Sequence, residues 1–261
     1  MNRIIAFDEA GYTGQDLNNK EQPVFTYSSV NFTKEETNEL KSFISTKAGE
    51  IKFNKLKKYS KFEKELEKVL NHELINENTV RIAIAHKEYM IIAQTVDKLI
   101  EPLTHRDGFD LYEQGENLAL TNMLYYCMPP FCGEELVNNY YEAFVKMIRN
   151  KTVADIKDYY NIVAKLIESS TSEDFKSTLS VILYSADIIE DILEEADKFY
   201  MDVTTASLTV LCDYWGNKLG DVFDVIADNS KPLESSLWIL EKIKSSDIEP
   251  KIFGYGGVLL S

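Results

Sequence analysis

The sequence predicts an α/β fold in which a strand-bearing core is interrupted by a large all-helical insertion. Three observations predict it. Short β-branched and aromatic runs dominate up to about residue 86, helical periodicity then holds almost without a break from Lys87 to about Gly220, and a short apolar run followed by a helix returns after residue 222. The expected division is 1–86 with 222–261 as the core, and 87–221 as the helical insertion.

The first strand is Ile4-Ile5-Ala6-Phe7, which runs into Asp8-Glu9-Ala10-Gly11. Asp and Glu are poor strand residues, so the strand is expected to end near Phe7. Gly11 and Gly14 then allow a tight turn with positive φ. Carboxylates joined to a buried strand either cap its turn or bind something, because burying them unpaired is costly. A second strand is expected over Pro23–Asn31, where Val24, Phe25, Tyr27 and Val30 mix β-branched and aromatic residues. The polar segment Gly14 to Asn19 between the two strands suggests an antiparallel pair.

Thr33 with Glu36 reads as a capping box, and Leu40, Phe43 and Ile44 give the helix that follows one apolar face. Ile51 to Lys58 is the strongest basic cluster of the chain. As a bland feature it is a solvated loop; as a functional one it supplies phosphate contacts. Ser60 with Glu63 repeats the capping pattern ahead of the stripe Phe62, Leu66, Val69 and Leu70. Val80, Ile82 and Ile84 alternate with Arg81, Ala83 and Ala85, giving a third strand that ends at His86. A helix then runs to Pro102, and Thr104 to Gly115 reads as a polar loop. The next helix starts near Glu116 and stops at Pro129-Pro130. Further helices follow over Glu134–Ile148, Thr152–Ile167, Ser172–Ile189 and from Thr204 through Tyr214, the last ending at Trp215-Gly216 or shortly after. Glu190, Asp191, Glu194, Glu195 and Asp197 read as a solvated helix face; helix-borne dinuclear sites use Glu-x-x-His, which is not present there. Val222 to Ala227 is the last clear strand and ends at Asp228. Pro232 opens a helix with the stripe Leu233, Leu237, Leu240 and Ile243, and 251–260 reads as a bent strand or a loop.

Composition narrows the partners. Lys and Arg number 28 against 43 Asp and Glu, a net charge of -15, which opposes non-specific attraction to nucleic acid or anionic membrane but leaves room for a local basic groove. Cys127, Cys132 and Cys212 form no CxxC pair, and free thiols in a reducing cytosol account for them. No leader pattern opens the chain and no run is long enough to span a bilayer, so the expected location is cytoplasmic, with no membrane partner.

Two strands far apart in sequence thus each end in acids, Asp8 with Glu9 and Asp228. If the strands are neighbours, the carboxylates converge on a site for Mg²⁺ or Mn²⁺. Two such ions about 4 Å apart activate water and stabilise the leaving oxygen in phosphodiester cleavage. Asp8 takes the bridging position, and Lys52, Lys55 and Lys231 neutralise phosphate charge beside it.

Asp8-Glu9-Ala10-Gly11 resembles the opening motif of the domain-of-unknown-function family 3800. Lys52-Phe53-Asn54-Lys55-Leu56-Lys57 resembles that family's Lys-Phe-x-x-Leu-Lys segment. Trp215-Gly216 followed by Val225 to Pro232 is similar to its late His-Asp-x-Ser-Lys-Pro segment, with Ala227 where the family has histidine. The resemblance implies a ribonuclease H-like mixed sheet with a helical insertion. It also implies a metal-dependent nuclease of bacteria, phages or mobile elements, with roles in phage defence, acting on nucleic acid. By position, the catalytic candidates are Asp8, Glu9, Asp228 and Lys231, with Asp8, Glu9 and Asp228 as metal ligands and Lys52 and Lys55 as substrate contacts. Family members continue to a Ser-Lys stretch and a Gln-x-Ala-Asp motif that supplies another acid. This sequence ends at Ser261 without them, so the form is shortened, the remaining ligand comes from elsewhere, or catalysis is lost.

The alternative is a non-catalytic binding or regulatory subunit whose helical block engages a protein partner. The acidic charge and the missing acid favour it, whereas Asp8-Glu9 and Asn229-Ser230-Lys231-Pro232 favour the nuclease. A small-nucleotide binder is a weaker third reading, because no GxxxxGK loop is present.

Overall fold

The computed structural model describes residues 3–12, 14, 16–46, 51–196, 199–228 and 231–235. The chain is mixed α/β and divides into two compact units: Met1–Glu9, Tyr27–Ala83 and Leu208–Asn229 form the first, and Ala10–Thr26, Ile84–Ser207 and Ser230–Ser261 the second. Relative to the division read from the sequence, residues 208–221 group with the strands, and 10–26 group with the helices.

Four strands form one mixed sheet in the order β3-β2-β1-β4: β1 is Arg3–Ala10, β2 Val24–Val30, β3 Val80–His86 and β4 Phe223–Ala227. β1 and β4 are parallel, with Arg3 opposite Phe223 and Phe7 opposite Ala227. Side chains alternate between the faces as strand geometry requires. Ile5, Phe7, Phe25, Tyr27 and Ser29 are buried on one face, and Ile4 and Val24 are exposed on the other. β1 does not stop at Phe7; it continues through Asp8 and Glu9 to Ala10. Pairing on the sheet outweighs the low strand propensity of the two acids, a tertiary effect that propensity alone does not register.

The first unit owes its core to a helix that follows the helical block. The segment 208–219 belongs to α11, which spans Thr204–Leu219 and ends shortly after Trp215-Gly216, as the pattern predicts. Leu208, Leu211 and Trp215 are buried, Trp215 completely. The Trp215 indole Nε1–H donates to Ser29 Oγ at 2.8 Å, and Ser29 Oγ donates to the Arg81 carbonyl at 3.0 Å. The Arg81 guanidinium lies 4.5 Å from the Tyr214 ring centroid. Arg81 therefore faces α11, and the apolar residues Ile82 and Ile84 of β3 are left 49% and 60% exposed.

Helix α1 (Lys34–Ser42) starts with the expected capping box: the Thr33 side chain accepts from Glu36 N–H, and Glu36 accepts from Thr33 N–H. The basic cluster folds as a one-turn helix, α2 (Phe53–Leu56), rather than a loop, and is followed by α3 (Phe62–Leu70). Ser60 and Glu63 form no box: α3 begins one residue later than that pattern requires, with Lys61 at its cap and no side-chain hydrogen bond.

The second unit is mainly helical: α4 (Lys87–Thr95), a π-helical turn (Val96–Ile100), α5 (Glu101–Arg106), α6 (Glu116–Cys132), α7 (Glu134–Asn150), α8 (Val153–Ser169), α9 (Glu173–Tyr184) and α10 (Ile189–Glu195). Thr152 and Ser172 cap α8 and α9, each accepting from the backbone N–H three residues on. Helix continues beyond Pro102, because that proline sits in the first turn of α5, where its missing N–H costs nothing. Pro129-Pro130 does not end α6; the helix closes at Gly133, whose φ is +90° and whose N–H donates to the Pro129 carbonyl. Buried Met128 and Cys132 hold that last turn in place. Tyr140 and Tyr159 are buried at the centre, and the Tyr140 hydroxyl bonds Thr95 Oγ1 at 2.6 Å and Tyr159 Oη at 3.2 Å. No helix among the described residues is long and apolar enough to cross a membrane. Asp197, Asn229, Ser230, the stripe residues after Leu233 and the run 251–260 lie outside the described residues.

Two features fix the loop after β1. Gly11 has φ +79°, and a Cβ there would lie 2.1 Å from the Val24 carbonyl oxygen. Asp202, just before α11, accepts from Thr204 N–H at 2.8 Å and also bonds the Tyr12 hydroxyl; burial raises its pKa more than these bonds lower it.

Ser29→Ala leaves the buried Trp215 N–H without its acceptor and is expected to cost about 1–3 kcal/mol by urea unfolding; a loss below about 0.5 kcal/mol, the level of a neutral surface change, would refute that role for the bond. Gly11→Ala meets both the left-handed φ and the Val24 carbonyl, and should destabilise by about 2 kcal/mol or more. Gly14→Ala, with φ +62° and nothing within 4 Å, should cost only about 1 kcal/mol; equal losses would contradict the close approach at Gly11. Because the folded state raises the Asp202 pKa, its stabilising contribution is complete below the unfolded value of about 3.9 and is lost as pH rises through the folded value. Asp202→Asn should flatten that acidic limb of the stability–pH curve, and superimposable wild-type and variant curves would disprove the linkage.

Candidate active site

Strand register builds the site. Asp8 follows Phe7 and Asp228 follows Ala227, and Phe7 and Ala227 are paired partners on parallel strands. Asp8, within β1, and Asp228, the residue after β4, are 220 positions apart in sequence yet stand at adjacent positions just past the last pair of the parallel ladder. Neighbouring strands lie about 4.8 Å apart, within the span that one ion bridges between two carboxylates. The carboxyl end of parallel strands is also where open α/β sheets bind ligands.

Asp8 and Glu9 do not point the same way. Because β1 continues through both, their side chains take opposite faces. Asp8 is exposed, and its Oδ1 accepts from Glu9 N–H at 3.0 Å. Glu9 is half-buried on the face that carries Ile5 and Phe7.

Tyr27 occupies that same buried face. Its ring centroid is 5.8 Å from that of Phe7, and it is 1% exposed. Its pKa is driven well above the usual tyrosine range, first by burial and then by Glu9, Cys212, Asp8 and Asp228 in turn. The Tyr27 hydroxyl is thus a protonated, neutral group within the field of all three predicted acids. In the sequence Tyr27 is only a strand aromatic; its place in a strand expected to pair with the acid-bearing strand is the signal that marks it. Cys212 has its thiol pushed up to about 11 by burial and is a protonated packing residue rather than a thiolate ligand.

The fit to a metal can be judged from the donors. Among the described residues, no three or more His, Cys, Asp or Glu side chains gather closely enough to hold a metal ion. Asp8 with Asp228 fits a single hard cation of the Mg²⁺ kind, which takes one or two carboxylates and completes its shell with water and phosphate oxygens. The three-acid, two-ion arrangement does not fit, because β1 turns Glu9 to the other face.

The remaining candidates lie on other elements. Lys52 caps α2 and Lys55 lies within it; both are exposed, and the register that joins Asp8 to Asp228 does not reach them. Lys231 is exposed at the start of the helical residues 231–235. His86 caps α4, with Nδ1 accepting from Tyr89 N–H at 3.4 Å. Glu190, Asp191, Glu194 and Glu195 are exposed on α10, the solvated face expected of them. No protein-family model, no curated protein and no solved structure matches the chain, so a functional reading rests on these residues and their geometry.

Proposed function

We propose that this protein is a Mg²⁺- or Mn²⁺-dependent phosphodiesterase acting on RNA or DNA, on a ribonuclease H-like core with a helical insertion. The observation that carries the reading is the β1–β4 register, which sets Asp8 beside Asp228 at the end of a parallel strand pair. Asp8 and Asp228 are the residues that would hold the divalent ion. When bound, that ion supplies Lewis-acid charge to phosphoryl oxygens. Glu9, on the opposite face beside buried Tyr27, adds negative potential from behind the pair rather than a third ligand. A chain of net charge -15 repels a polyanion at long range, so lysines such as Lys52 and Lys55 are needed to admit one locally. Defence against phage is the biological setting that the motif resemblance implies.

A second reading is favoured by one specific observation: the three acids do not converge on one point. On that reading the fold is retained without catalysis, and the helical unit engages a protein partner.

The deciding measurement is Mn²⁺-dependent cleavage of mixed RNA and DNA substrates. Asp8→Ala and Asp228→Asn are each expected to lower the rate by about 100-fold or more, the scale of losing one stabilising group at a reacting centre. Cleavage that survives both substitutions would eliminate the site. Absence of cleavage in the wild type, together with a stable defined complex through the helical unit, would establish the second reading instead.

A further inference from the structure

Between Ile51 and Phe62 the sequence holds five lysines and no acid, within a chain of net charge -15. Lys52, Lys55, Lys57, Lys58 and Lys61 are all exposed. A run of lysines alone is ordinarily a solvated face, and a single exposed aromatic residue is ordinary too. Here the two coincide on an ordered turn. Leu56 and Phe62 are buried and anchor its two ends. Tyr59 N–H donates to the Leu56 carbonyl at 2.9 Å, and Phe62 N–H donates to the Tyr59 carbonyl at 2.9 Å. Phe53 and Tyr59 are held out among the lysines, 58% and 66% exposed. The Phe53 ring rests edge-on against Phe62 at 5.7 Å, with the Lys57 ammonium 5.9 Å from its centroid.

Beside the turn is an open groove of about 300 Å³, lined by Ser45, Leu56, Tyr59, Lys61, Phe62 and Glu65 among others. Ser45 N–H donates to Glu65 at 3.1 Å, and its bonds hold that carboxyl ionised, below the usual range. Ammonium groups around exposed ring faces, next to a groove with both apolar and accepting walls, match the chemistry of an unpaired nucleic-acid strand: lysines meet phosphates, rings stack on bases, and a carboxylate accepts from a base amino group. A duplex keeps its base faces stacked internally and offers the rings nothing. An anionic lipid surface would meet the same lysines but would be opposed by the ionised Glu65 in the groove. The turn belongs to the same compact unit as Asp8 and Asp228.

We propose that the α2–α3 turn is a docking surface for single-stranded nucleic acid, with Lys52, Lys55, Lys57, Lys58 and Lys61 on phosphates and Phe53 and Tyr59 stacked on unpaired bases. This deepens the nuclease reading and rests on it for its part in turnover.

The test is fluorescence anisotropy in EDTA with labelled oligo-dT and oligo-U of about 12 nucleotides, a length within the range of single-strand sites, alongside a duplex of equal length. Single strands of either sugar should bind about 10-fold or more tightly than the duplex, the scale of one stacked base. With about four phosphates neutralised, the log–log salt slope is near -3, about a 50-fold loss between 50 and 200 mM salt. Tyr59→Ala, which removes an exposed ring and leaves the packed Phe53 in place, should weaken binding roughly 5- to 100-fold with the slope unchanged. Lys55→Gln with Lys58→Gln should lower the slope by about 1.4. No binding, equal binding of duplex, indifference to these substitutions, or preference for phosphatidylserine vesicles over the oligonucleotides would each overturn the proposal. Binding in EDTA without any Mn²⁺-dependent cleavage would remove the nuclease reading and leave this surface standing. Cleavage of short single strands that ignores both sets of substitutions would do the reverse.

Discussion

The hydrogen bond from the Trp215 indole to Ser29 is the constraint on which the sheet depends. A fully buried indole requires an acceptor, and Ser29 is the buried hydroxyl on β2 that provides one. That bond sets the height and rotation of α11 against the sheet. Leu208 and Leu211 are buried with the indole, Arg81 stacks on Tyr214, and α11 ends just before Gly220. β4 begins only three residues later. The proximity of Asp8 and Asp228 is thus a consequence of where a tryptophan some dozen residues upstream is anchored.

The end of the sheet gathers negative charge in a chain that already carries an excess of it. Asp8, Glu9 and Asp228 all act on the Tyr27 hydroxyl, which burial and those charges keep protonated. Fixed carboxylates held near one another repel, and a bound cation relieves that repulsion. Tyr27 does not relieve it, being neutral. The lysines of the α2–α3 turn answer the same charge problem at a different place, by giving one surface of an acidic protein a positive sign.

Local signals were legible where a single side chain decides a local hydrogen bond. The caps at Thr33, Thr152 and Ser172 each place a hydroxyl before an apolar periodic run, and each accepts a backbone N–H as that pattern requires. The sequence offered the juxtaposition of Asp8 with Asp228 only on the condition that their strands are neighbours, and the β1–β4 register meets that condition for the strands. What tertiary pairing decides was not legible. β1 extends over Asp8 and Glu9, past its last pair with β4 at Phe7, and that extension alone sends Glu9 to the opposite face. The helix through Pro129-Pro130 persists because buried side chains on either side of the prolines hold it. Ile82 and Ile84, on the strongly apolar face of the β3 alternation, are exposed, because Arg81 found an aromatic ring on α11 and took the inner side. Tyr27 carried no signal of its own beyond its strand.

The parallel pairing of β1 with β4 also governs the order of events in folding. The first strand emerges from the ribosome long before its partner, with the whole helical block synthesised between them. Each doubling of the intervening chain adds only about 0.6 kcal/mol to loop closure, so the delay burdens rate far more than final stability. Helices built from near-neighbour contacts form early, while the strand that completes the acid pair can join only after the whole helical block has emerged.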